Sequence, residues 1–341
     1  MAVAAALLSL TVLVLAMRAP RARPSQPGDG RTVASYGFDL STCLVPEADI
    51  VASGMERDGL PTLDDPDTLS IQEVEQKNQE GRGKFLLDGD RVIGVTLGGD
   101  ARAYPLRLMR WHEVINDTVG GVPVVVTYNP LCDSVVVAKR TIGSEVQHFG
   151  ASGLLHNSNL LLYDRQNADG LPSLWSQLQA RAISGPHAAE QSRLEILPVA
   201  LCMWGEWRVD HPHSRVLAPL DRMSQVYKRD PYHSYFGSDV LRFPVDPLPE
   251  TGDLALKDRL VVINAGADEA AFALPLLTRA AGADHGSYDT AVGGIPIRID
   301  FAVHPGVATV TRRDGLGPPP VTRYSFWFAW FAAHPETVPG P

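Results

Sequence analysis

The chain has 341 residues, of which 45% are hydrophobic and 20% are charged. That composition excludes disordered and fibrous proteins, and the length allows for about two domains, each with its own core. The formal net charge is −9 at pH 7 and no basic run exceeds two residues, so we expect no nucleic-acid partner. The three cysteines, Cys43, Cys132 and Cys202, are too few for a disulfide framework, and their odd number leaves at least one without an internal partner.

Residues 1–17 are the one segment apolar enough to meet a membrane: they carry no charge and are mostly Ala, Leu and Val. Three arginines and a Pro/Gly/Ser stretch follow, up to Gly30. This pattern predicts a signal sequence or membrane anchor plus linker over residues 1–30, and therefore a cell-envelope protein with N-terminal membrane association. Retention in the cytoplasm is the alternative, because a basic n-region is missing and the arginines lie on the C-terminal flank.

The chain contains an internal repeat. Residues 91–106 align without a gap with residues 259–274. The turn sequence Asp117-Thr-Val-Gly-Gly recurs, with one inserted residue, from Asp289 onwards, and a Trp-x-x-Trp-x-x-x-His-Pro block closes each copy. Three blocks in the same order indicate an ancient duplication.

The repeat predicts an α+β fold that is mostly antiparallel β-structure. We expect two homologous subdomains, at residues 84–214 and 255–338, with a connector at 215–254 and an N-terminal extension at 31–83. Short β-branched runs bounded by Gly, Pro and Asp, such as residues 122–128, are typical of buried strands.

The block that closes each copy predicts a short Trp-rich helix that covers the strands. Tryptophans at i and i+3 share one helical face with the histidine that follows, and the proline after the histidine ends the helix. We expect these histidines to cap the helix ends rather than to bind a metal. The residues concerned are Trp204, Trp207 and His211 in the first copy, and Trp327, Trp330 and His334 in the second.

The two copies differ in length at one place. Before its Trp block, the first copy carries about 50 residues that the second copy lacks, which places an insert at about residues 145–198. Because the repeated core closes without this segment in the second copy, the insert has either a specific task or the role of a structural flap.

The hairpin at residues 124–137 carries the strongest chemical signal. A strand ends in a Pro-containing turn, and Cys132 lies in that turn before the next strand starts. A thiol in such a turn ionises when it is partly exposed near a cation or a metal. The aligned segment of the second copy, residues 302–305, has no cysteine, so the fold itself requires no thiol. The alternative is that Cys132 is a small buried hydrophobic residue.

Ten sequence blocks together carry the pattern of a known family. They are Gly37-Phe-Asp-Leu-Ser, Asp58-Gly-Leu-Pro, Ala103-Tyr-Pro-Leu, Trp111-His-Glu-Val-Ile-Asn-Asp, Thr127-Tyr-Asn-Pro-Leu-Cys-Asp, Phe149-Gly-Ala-Ser-Gly-Leu-Leu-His-Asn-Ser-Asn, Tyr163-Asp-Arg-Gln, Leu174-Trp-Ser-Gln, Arg229-Asp-Pro-Tyr and Trp327-Phe-Ala-Trp. In these blocks the chain resembles the domain-of-unknown-function family 3179 over about residues 37–337. The resemblance implies an exported or membrane-anchored protein and brings no mechanism with it.

The hairpin turn departs from the family pattern, which typically reads Thr-Tyr-Cys-Pro-Leu-Cys-Gly. This chain has Asn129 in place of the first cysteine and Asp133 in place of the glycine. Two thiols three positions apart close a disulfide or bind one metal ion, whereas a single thiol does neither alone. The resemblance therefore leaves dithiol chemistry open for this chain.

Two histidines near the hairpin in sequence, His112 and His156, would complete a mixed metal site with Cys132. Such a set suits copper, zinc or iron. The alternative for each histidine is a hydrogen-bonded structural residue. Within the insert, Asp164 and Arg165 join Cys132 and His156 as candidate catalytic residues, although a carboxylate and a guanidinium more commonly form ion pairs.

The sequence supports two hypotheses of function. The first is a metal- or thiol-dependent, redox-type enzyme of the cell envelope, with its site between the Cys132 hairpin and the insert around His156. The second is a non-catalytic binding module that keeps the scaffold but has lost the Cys-x-x-Cys chemistry. An accessible pocket that unites Cys132 with a histidine or a carboxylate favours the first hypothesis, and a thiol sealed among aliphatic side chains favours the second. The sequence does not specify a small-molecule or protein partner.

Overall fold

The computed structural model describes residues 27–80, 84–165, 171–250 and 252–341. The predicted signal sequence or anchor at residues 1–17, and most of the linker after it, lie outside the described residues. Within the described part of the chain, no helix is both long and apolar enough to cross a lipid bilayer.

Short strands dominate the described chain, and the α-helices are ten residues long or less. Strands β1 to β22 are, in order, Ile50–Ala52, Leu63–Asp64, Thr68–Ser70, Arg91–Leu97, Asp100–Pro105, Val114–Val119, Val122–Asn129, Ser134–Lys139, Thr141–Ile142, Glu145–Val146, Phe149–His156, Asn159–Asp164, Leu174–Ser176, Arg181–Ser184, Ala200–Met203, Arg215–Leu217, Arg259–Ala265, Asp268–Ala273, His285–Val292, Ile295–Ala302, Val307–Arg312 and Val321–Phe326. Helices α1 to α7 are Ile71–Glu80, Leu106–Met109, Pro186–Ala189, Trp204–Asp210, His233–Phe236, Leu274–Ala281 and Trp327–Ala333, and 3-10 turns occur at Val33–Tyr36, Glu47–Asp49 and Asp221–Met223.

The strands form three main sheets and one two-stranded ribbon, β9 with β10. The eight-stranded sheet has the order β19-β20-β21-β15-β4-β5-β16-β3, and the seven-stranded sheet has the order β18-β17-β22-β8-β7-β6-β2. The five-stranded sheet has the order β1-β11-β12-β13-β14. Apart from the parallel pairs β5 with β16 and β2 with β6, the described strand pairs are antiparallel, which confirms the predicted α+β class with mostly antiparallel strands.

The largest apolar core lies between the eight-stranded and the seven-stranded sheets. In β7, Val124 and Val126 face this core, while Val125 faces the opposite side, because successive side chains of a strand point to opposite faces. Ile93 and Val95 of β4 contribute to the core from the facing sheet. Since β7 is covered on both faces, its sequence is a continuous apolar run, as expected for a buried strand.

The predicted insert forms a third layer. Strands β11 to β14 come from it, and β1 of the N-terminal extension adds the fifth strand. A second apolar core joins this layer to the seven-stranded sheet, with Val125 and Val136 on one side and Phe149, Leu162 and Trp175 on the other. The insert therefore covers the outer face of the seven-stranded sheet.

Both predicted subdomains contribute strands to both large sheets. From residues 84–214, β15, β4 and β5 are neighbours in the eight-stranded sheet, while β8, β7 and β6 are neighbours in the seven-stranded sheet. From residues 255–338, β22, β17 and β18 are neighbours in the seven-stranded sheet, in an order that corresponds to β15, β4 and β5. Strands β21, β20 and β19 are neighbours in the eight-stranded sheet, in an order that corresponds to β8, β7 and β6. The junctions are β15 with β21 and β22 with β8. Each large sheet thus combines strands of both segments.

The predicted Trp-rich helices are α4 and α7, which begin directly after β15 and β22. His211 and His334 end these helices, as predicted. The ring centroids of His211 and Trp207 are 3.9 Å apart, and those of His334 and Trp330 are 4.2 Å apart. The backbone N–H of His211 donates to the carbonyl of Trp207 at 2.8 Å, which satisfies one of the free acceptors at the helix end.

Candidate functional site

The thiol of Cys132 is sealed inside the protein. Cys132 lies in the turn between β7 and β8 and has no exposed surface. Its Sγ lies 3.3 Å from the carbonyl oxygen of Ser158, at the turn between β11 and β12. Burial raises the pKa of this thiol far above its usual range, so it remains a neutral thiol at physiological pH. The three cysteines of the described chain are free.

The side-chain amide of Asn129 forms the hydrogen bonds at the start of this turn. Its Oδ1 accepts the N–H of Leu131 at 2.9 Å, and its Nδ2 donates to the carbonyl of Ser158 at 3.2 Å. The same Ser158 carbonyl is therefore the partner of both Asn129 and Cys132. The side chain of Asn129 is therefore committed to joining the hairpin to the insert.

A buried polar network fixes the insert against the hairpin. The Oε1 of Gln177 accepts hydrogen bonds from Ser134 Oγ at 2.8 Å and from Asn159 Nδ2 at 2.9 Å. The Nε2 of Gln177 donates to Thr127 Oγ1 at 3.0 Å. Because each of these groups has a partner, the network specifies one relative position of the insert and the hairpin.

Asp133, the residue after Cys132, is a buried anion with cationic partners. Its φ of 43° lies in the left-handed region that glycine adopts most easily. Arg91 and Arg259 bind its carboxylate, and the hydroxyl of Tyr128 donates to it at 2.7 Å. Burial alone would raise the pKa of Asp133, but Arg91 and Arg259 hold it well below its usual range.

The predicted metal ligands do not come together. Nδ1 of His112 lies 2.7 Å from the carbonyl of Pro61 and must donate to it, so Nε2 accepts from the hydroxyl of Tyr227 at 2.6 Å. Burial lowers the pKa of His112 and also that of His156, which is half-buried at the end of β11. In the chain as described, no three His, Cys, Asp or Glu side chains are placed to hold a metal ion.

Asp164 and Arg165 pair with other residues rather than with each other. The buried carboxylate of Asp164 accepts the Nε1–H of Trp175 and the backbone N–H of Ser173, both at 2.9 Å, and burial raises its pKa. The guanidinium of Arg165 donates to Asp58 at 2.8 Å and to Asp64 at 3.0 Å. These bonds fasten the insert internally and to the N-terminal extension.

A cavity of about 250 Å³ lies between the hairpin and the insert, where the sequence places the site. Its wall is mostly apolar, and its polar members are Ser53, Glu56, Glu113, Asn129, Tyr232 and Arg242. Its volume is slightly below the range of about 300–1,000 Å³ typical of small-molecule sites, so only a small ligand fits. The predicted site residues Cys132, His112, His156, Asp164 and Arg165 do not line it.

Glu113 is held in an uncommon backbone conformation beside this cavity. Its φ is 57°, its N–H donates to the carbonyl of Met109 at 2.7 Å, and its carbonyl accepts the N–H of Tyr128 at 2.9 Å. His112, fixed on both ring nitrogens, precedes it. Burial raises the pKa of Glu113 to about 8, whereas a hydrogen bond from the hydroxyl of Tyr232 acts in the opposite direction. At neutral pH the group is therefore mainly a carboxylic acid, able to donate as well as accept.

The sequence contained signals for two of the missed cavity residues. Glu113 is part of the Trp111-His-Glu block, and Tyr232 ends the Arg229-Asp-Pro-Tyr block, both of which carry the family resemblance. Arg242, in the predicted connector, has no motif around it. These residues converge only through tertiary structure.

A larger depression, of about 780 Å³, lies on the eight-stranded sheet beside α4. Its lining is rich in small and polar side chains such as Asp300, Thr309 and Thr311. On the seven-stranded sheet, by contrast, the covered face presents Val125 and Val136. At this depression the eight-stranded sheet is therefore polar enough to face water, whereas α1 and α4 cover another part of the same face.

Comparison with known proteins agrees with the resemblance seen in the sequence. Residues 57–337 match the family described as protein of unknown function DUF3179. No curated protein and no solved structure matches the chain. The matched range includes the hairpin, the insert, the connector and both copies of the repeat, so the chain belongs to the DUF3179 family.

Proposed function

We propose that this protein is a non-catalytic binding module of the cell envelope that takes a small organic molecule into the cavity beside Glu113. The observation that carries the proposal is the position of Glu113. A protonatable carboxyl on a left-handed backbone lines an otherwise mostly apolar cavity. Small-molecule sites typically combine an apolar wall with a few placed polar groups of this kind.

The state of the hairpin favours binding over thiol chemistry. A redox or metal site of the Cys-x-x-Cys type needs two thiols. Asn129 occupies the position of the first, and both the oxygen and the nitrogen of its side-chain amide are hydrogen-bonded. The remaining thiol, Cys132, has no exposed surface and a raised pKa. A neutral, inaccessible thiol neither attacks a substrate nor binds a metal.

The duplication explains how the cavity arises. We infer that residues 84–214 and 255–338 are homologous subdomains, because their strands follow each other in the same order and pair in the same way. The insert is present in the first copy alone, and it supplies Ala151, Gly153 and Leu160 to the cavity wall. On this view the insert's specific task is to close the binding site.

The location in the cell envelope rests on residues 1–17, whose uncharged, apolar sequence is typical of a signal or anchor. The described chain begins close to the cavity. The carbonyl of Pro27 accepts the N–H of Arg57 at 2.9 Å, directly after Met55 and Glu56 of the cavity wall. A membrane anchor would therefore hold the cavity near the membrane surface.

Ligand-observed NMR tests the proposal, with a library of small carboxylic acids, amines, amino acids and alcohols as probes. Leu60→Trp places a large ring at the half-buried cavity wall, and Leu87→Trp is the matched control, because Leu87 is 50% exposed and lines neither cavity. We expect at least one chemical class to bind wild type and Leu87→Trp but not Leu60→Trp. Absence of binding by every class, or equal binding to both variants, would overturn the proposed function.

A further inference from the structure

Two opposite charges line the cavity without a partner of their own. Arg242 and Glu56 are both exposed members of the lining. Among the described residues, neither forms an ion pair within 4.0 Å, with the other or with any third residue. A positive and a negative group that share a small cavity but do not neutralise each other match a ligand with both charges.

The guanidinium of Arg242 is held by aromatic rings. It lies 5.5 Å from the ring centroid of Tyr232 and 5.0 Å from that of Tyr235. Cation–π contacts of this kind leave the N–H groups of arginine free to donate. A planar guanidinium with free donors binds a carboxylate through two parallel hydrogen bonds.

The acceptors for a cationic group line the same cavity. Glu56 provides a carboxylate, and the Glu113 carboxyl and the Tyr232 hydroxyl, which line the same cavity, provide further oxygens. An ammonium group has three donors and needs several such oxygens when it leaves water. One carboxylate and two neutral oxygens meet that need without an excess of negative charge.

The apolar wall of the cavity determines which side chain the ligand can carry. Leu131, Leu154, Leu155, Leu160 and Phe243 give it an apolar wall. A branched aliphatic side chain is stabilised when it leaves water and packs against such a wall. A volume of about 250 Å³ leaves no room for a nucleotide or a large cofactor.

Building on the proposed binding function, we propose that the ligand is an apolar α-amino acid of about the size of leucine, bound as its zwitterion. Its carboxylate binds Arg242, its ammonium binds Glu56 with the Glu113–Tyr232 pair, and its side chain packs against the leucines. A simple carboxylic acid would leave Glu56 unpaired, and a simple amine would leave Arg242 unpaired.

Isothermal titration with three probes of the same shape tests this assignment. L-leucine has both charges, 4-methylpentanoate lacks the ammonium, and 3-methylbutylamine lacks the carboxylate. We expect L-leucine to bind at least about tenfold more tightly than either analogue, as expected when a charge-assisted hydrogen bond is lost. Arg242→Gln should weaken L-leucine and the acid but not the amine, and Glu56→Gln should weaken L-leucine and the amine but not the acid.

Arg31→Gln and Glu250→Gln are the matched controls, because they remove the same charges at exposed positions outside the cavity lining. Equal affinity for L-leucine and an analogue, or loss of affinity in the controls as well, would overturn the assignment. If L-leucine fails to bind while another class from the NMR library binds wild type but not Leu60→Trp, this inference fails and the proposed function stands. If no class binds, both fail.

Discussion

Arg91 and Arg259, which align with each other in the predicted repeat, lie at the starts of β4 and β17, and their guanidinium groups meet on a single carboxylate, that of Asp133. Arg91 donates to both carboxylate oxygens at 3.1 Å, and Arg259 donates through Nε at 2.5 Å. β4 belongs to the eight-stranded sheet and β17 to the seven-stranded sheet. Asp133 therefore ties both large sheets to the hairpin turn.

Asp133→Asn should destabilise the protein by about 3–5 kcal/mol, because it leaves two guanidinium groups without a buried counter-charge. Urea unfolding followed by circular dichroism measures the loss. Asp314→Asn is the control, since Asp314 forms an ion pair with Arg312 at the protein surface, and it should leave the urea midpoint nearly unchanged. A shift as small as that of the control would mean that the cluster adds no stability.

The same cluster predicts a dependence on pH. Because the pKa of Asp133 is lower in the folded protein than its ordinary value of 3.8, the unfolded chain takes up its proton first as the pH falls. The stability that Asp133 contributes is therefore complete above about pH 4 and is lost at lower pH. The difference between wild type and Asp133→Asn should shrink between pH 5 and pH 2, and a constant difference would contradict the assignment.

Glu113→Gln should change the dependence of stability on pH at the alkaline side, where wild type loses stability as the pH rises. The folded protein retains the Glu113 proton up to about pH 8, whereas the unfolded chain releases it near pH 4.5. The stability that this group contributes is therefore complete below pH 4.5 and is lost as the pH rises through about 8. Glutamine does not titrate, so the melting temperature of Glu113→Gln relative to wild type should rise from pH 5 to pH 9. Glu250→Gln controls for the loss of one carboxyl, and a pH-independent difference at Glu113 would argue against its burial in the protonated form.

Asn129→Cys creates a Cys-x-x-Cys sequence at the hairpin turn and should bind Zn(II) or Cu(I) at least about tenfold more tightly than wild type, about 1.4 kcal/mol. A metal ion bound by two thiolates replaces both thiol protons and offsets the cost of burying charged sulfur, whereas the single buried thiol of wild type has no second thiol to share an ion with. Asn129→Ser is the control, because it removes the amide contacts without adding a thiol. Since His156 is not part of a metal-ligand group in the described chain, His156→Ala should leave the gain intact. Unchanged metal affinity in Asn129→Cys would show that the turn is purely structural.

A reporter enzyme that is active only outside the cytoplasm, fused after Gly30, should be active in cells that express it. The expected signal or anchor at residues 1–17 would carry the reporter across the membrane. A fusion that starts at residue 18 is the control and should be inactive. A reporter that is active only in the cytoplasm, tested in parallel, would give the reverse result if the arginines after the apolar segment retained it there.

The sequence could predict those parts of the fold that depend on residues close together in the chain. The apolar run at β7 and the Trp-x-x-Trp spacing of α4 and α7 fix strand and helix, because both depend on side chains that are near each other in the chain. The pairing of β15 with β21 and of β22 with β8 could not be predicted in the same way. A periodic pattern shows which face of a strand is buried, but it does not identify the neighbouring strand.

A cavity lies where the sequence analysis expects a site, but its lining differs from the predicted site residues. The cavity lies between the hairpin and the insert, as expected from the sequence, yet it is lined by Glu113, Tyr232 and Arg242 rather than by the cysteine and histidines. Glu113 and Arg242 lie more than 100 positions apart in sequence, so no local motif links them. His112, the neighbour of Glu113, is a residue whose chemistry suggests a ligand, but its two ring nitrogens are committed to Pro61 and Tyr227.

Each large sheet contains strands from both segments, so neither sheet can be completed before the second segment has been synthesised. In the seven-stranded sheet, β22 lies between β17 and β8, so the meander of β6, β7 and β8 has an open edge until the last strand has been synthesised. Contacts with such a long separation in sequence form slowly. During that interval the first half of β8, around Val135, lacks its partner strand, while residues 195–197 already pair with its second half. A second nascent copy could pair with the open half through the wrong β22. Exchange of the final strand between two chains is therefore the misfolding route to which this topology is most exposed.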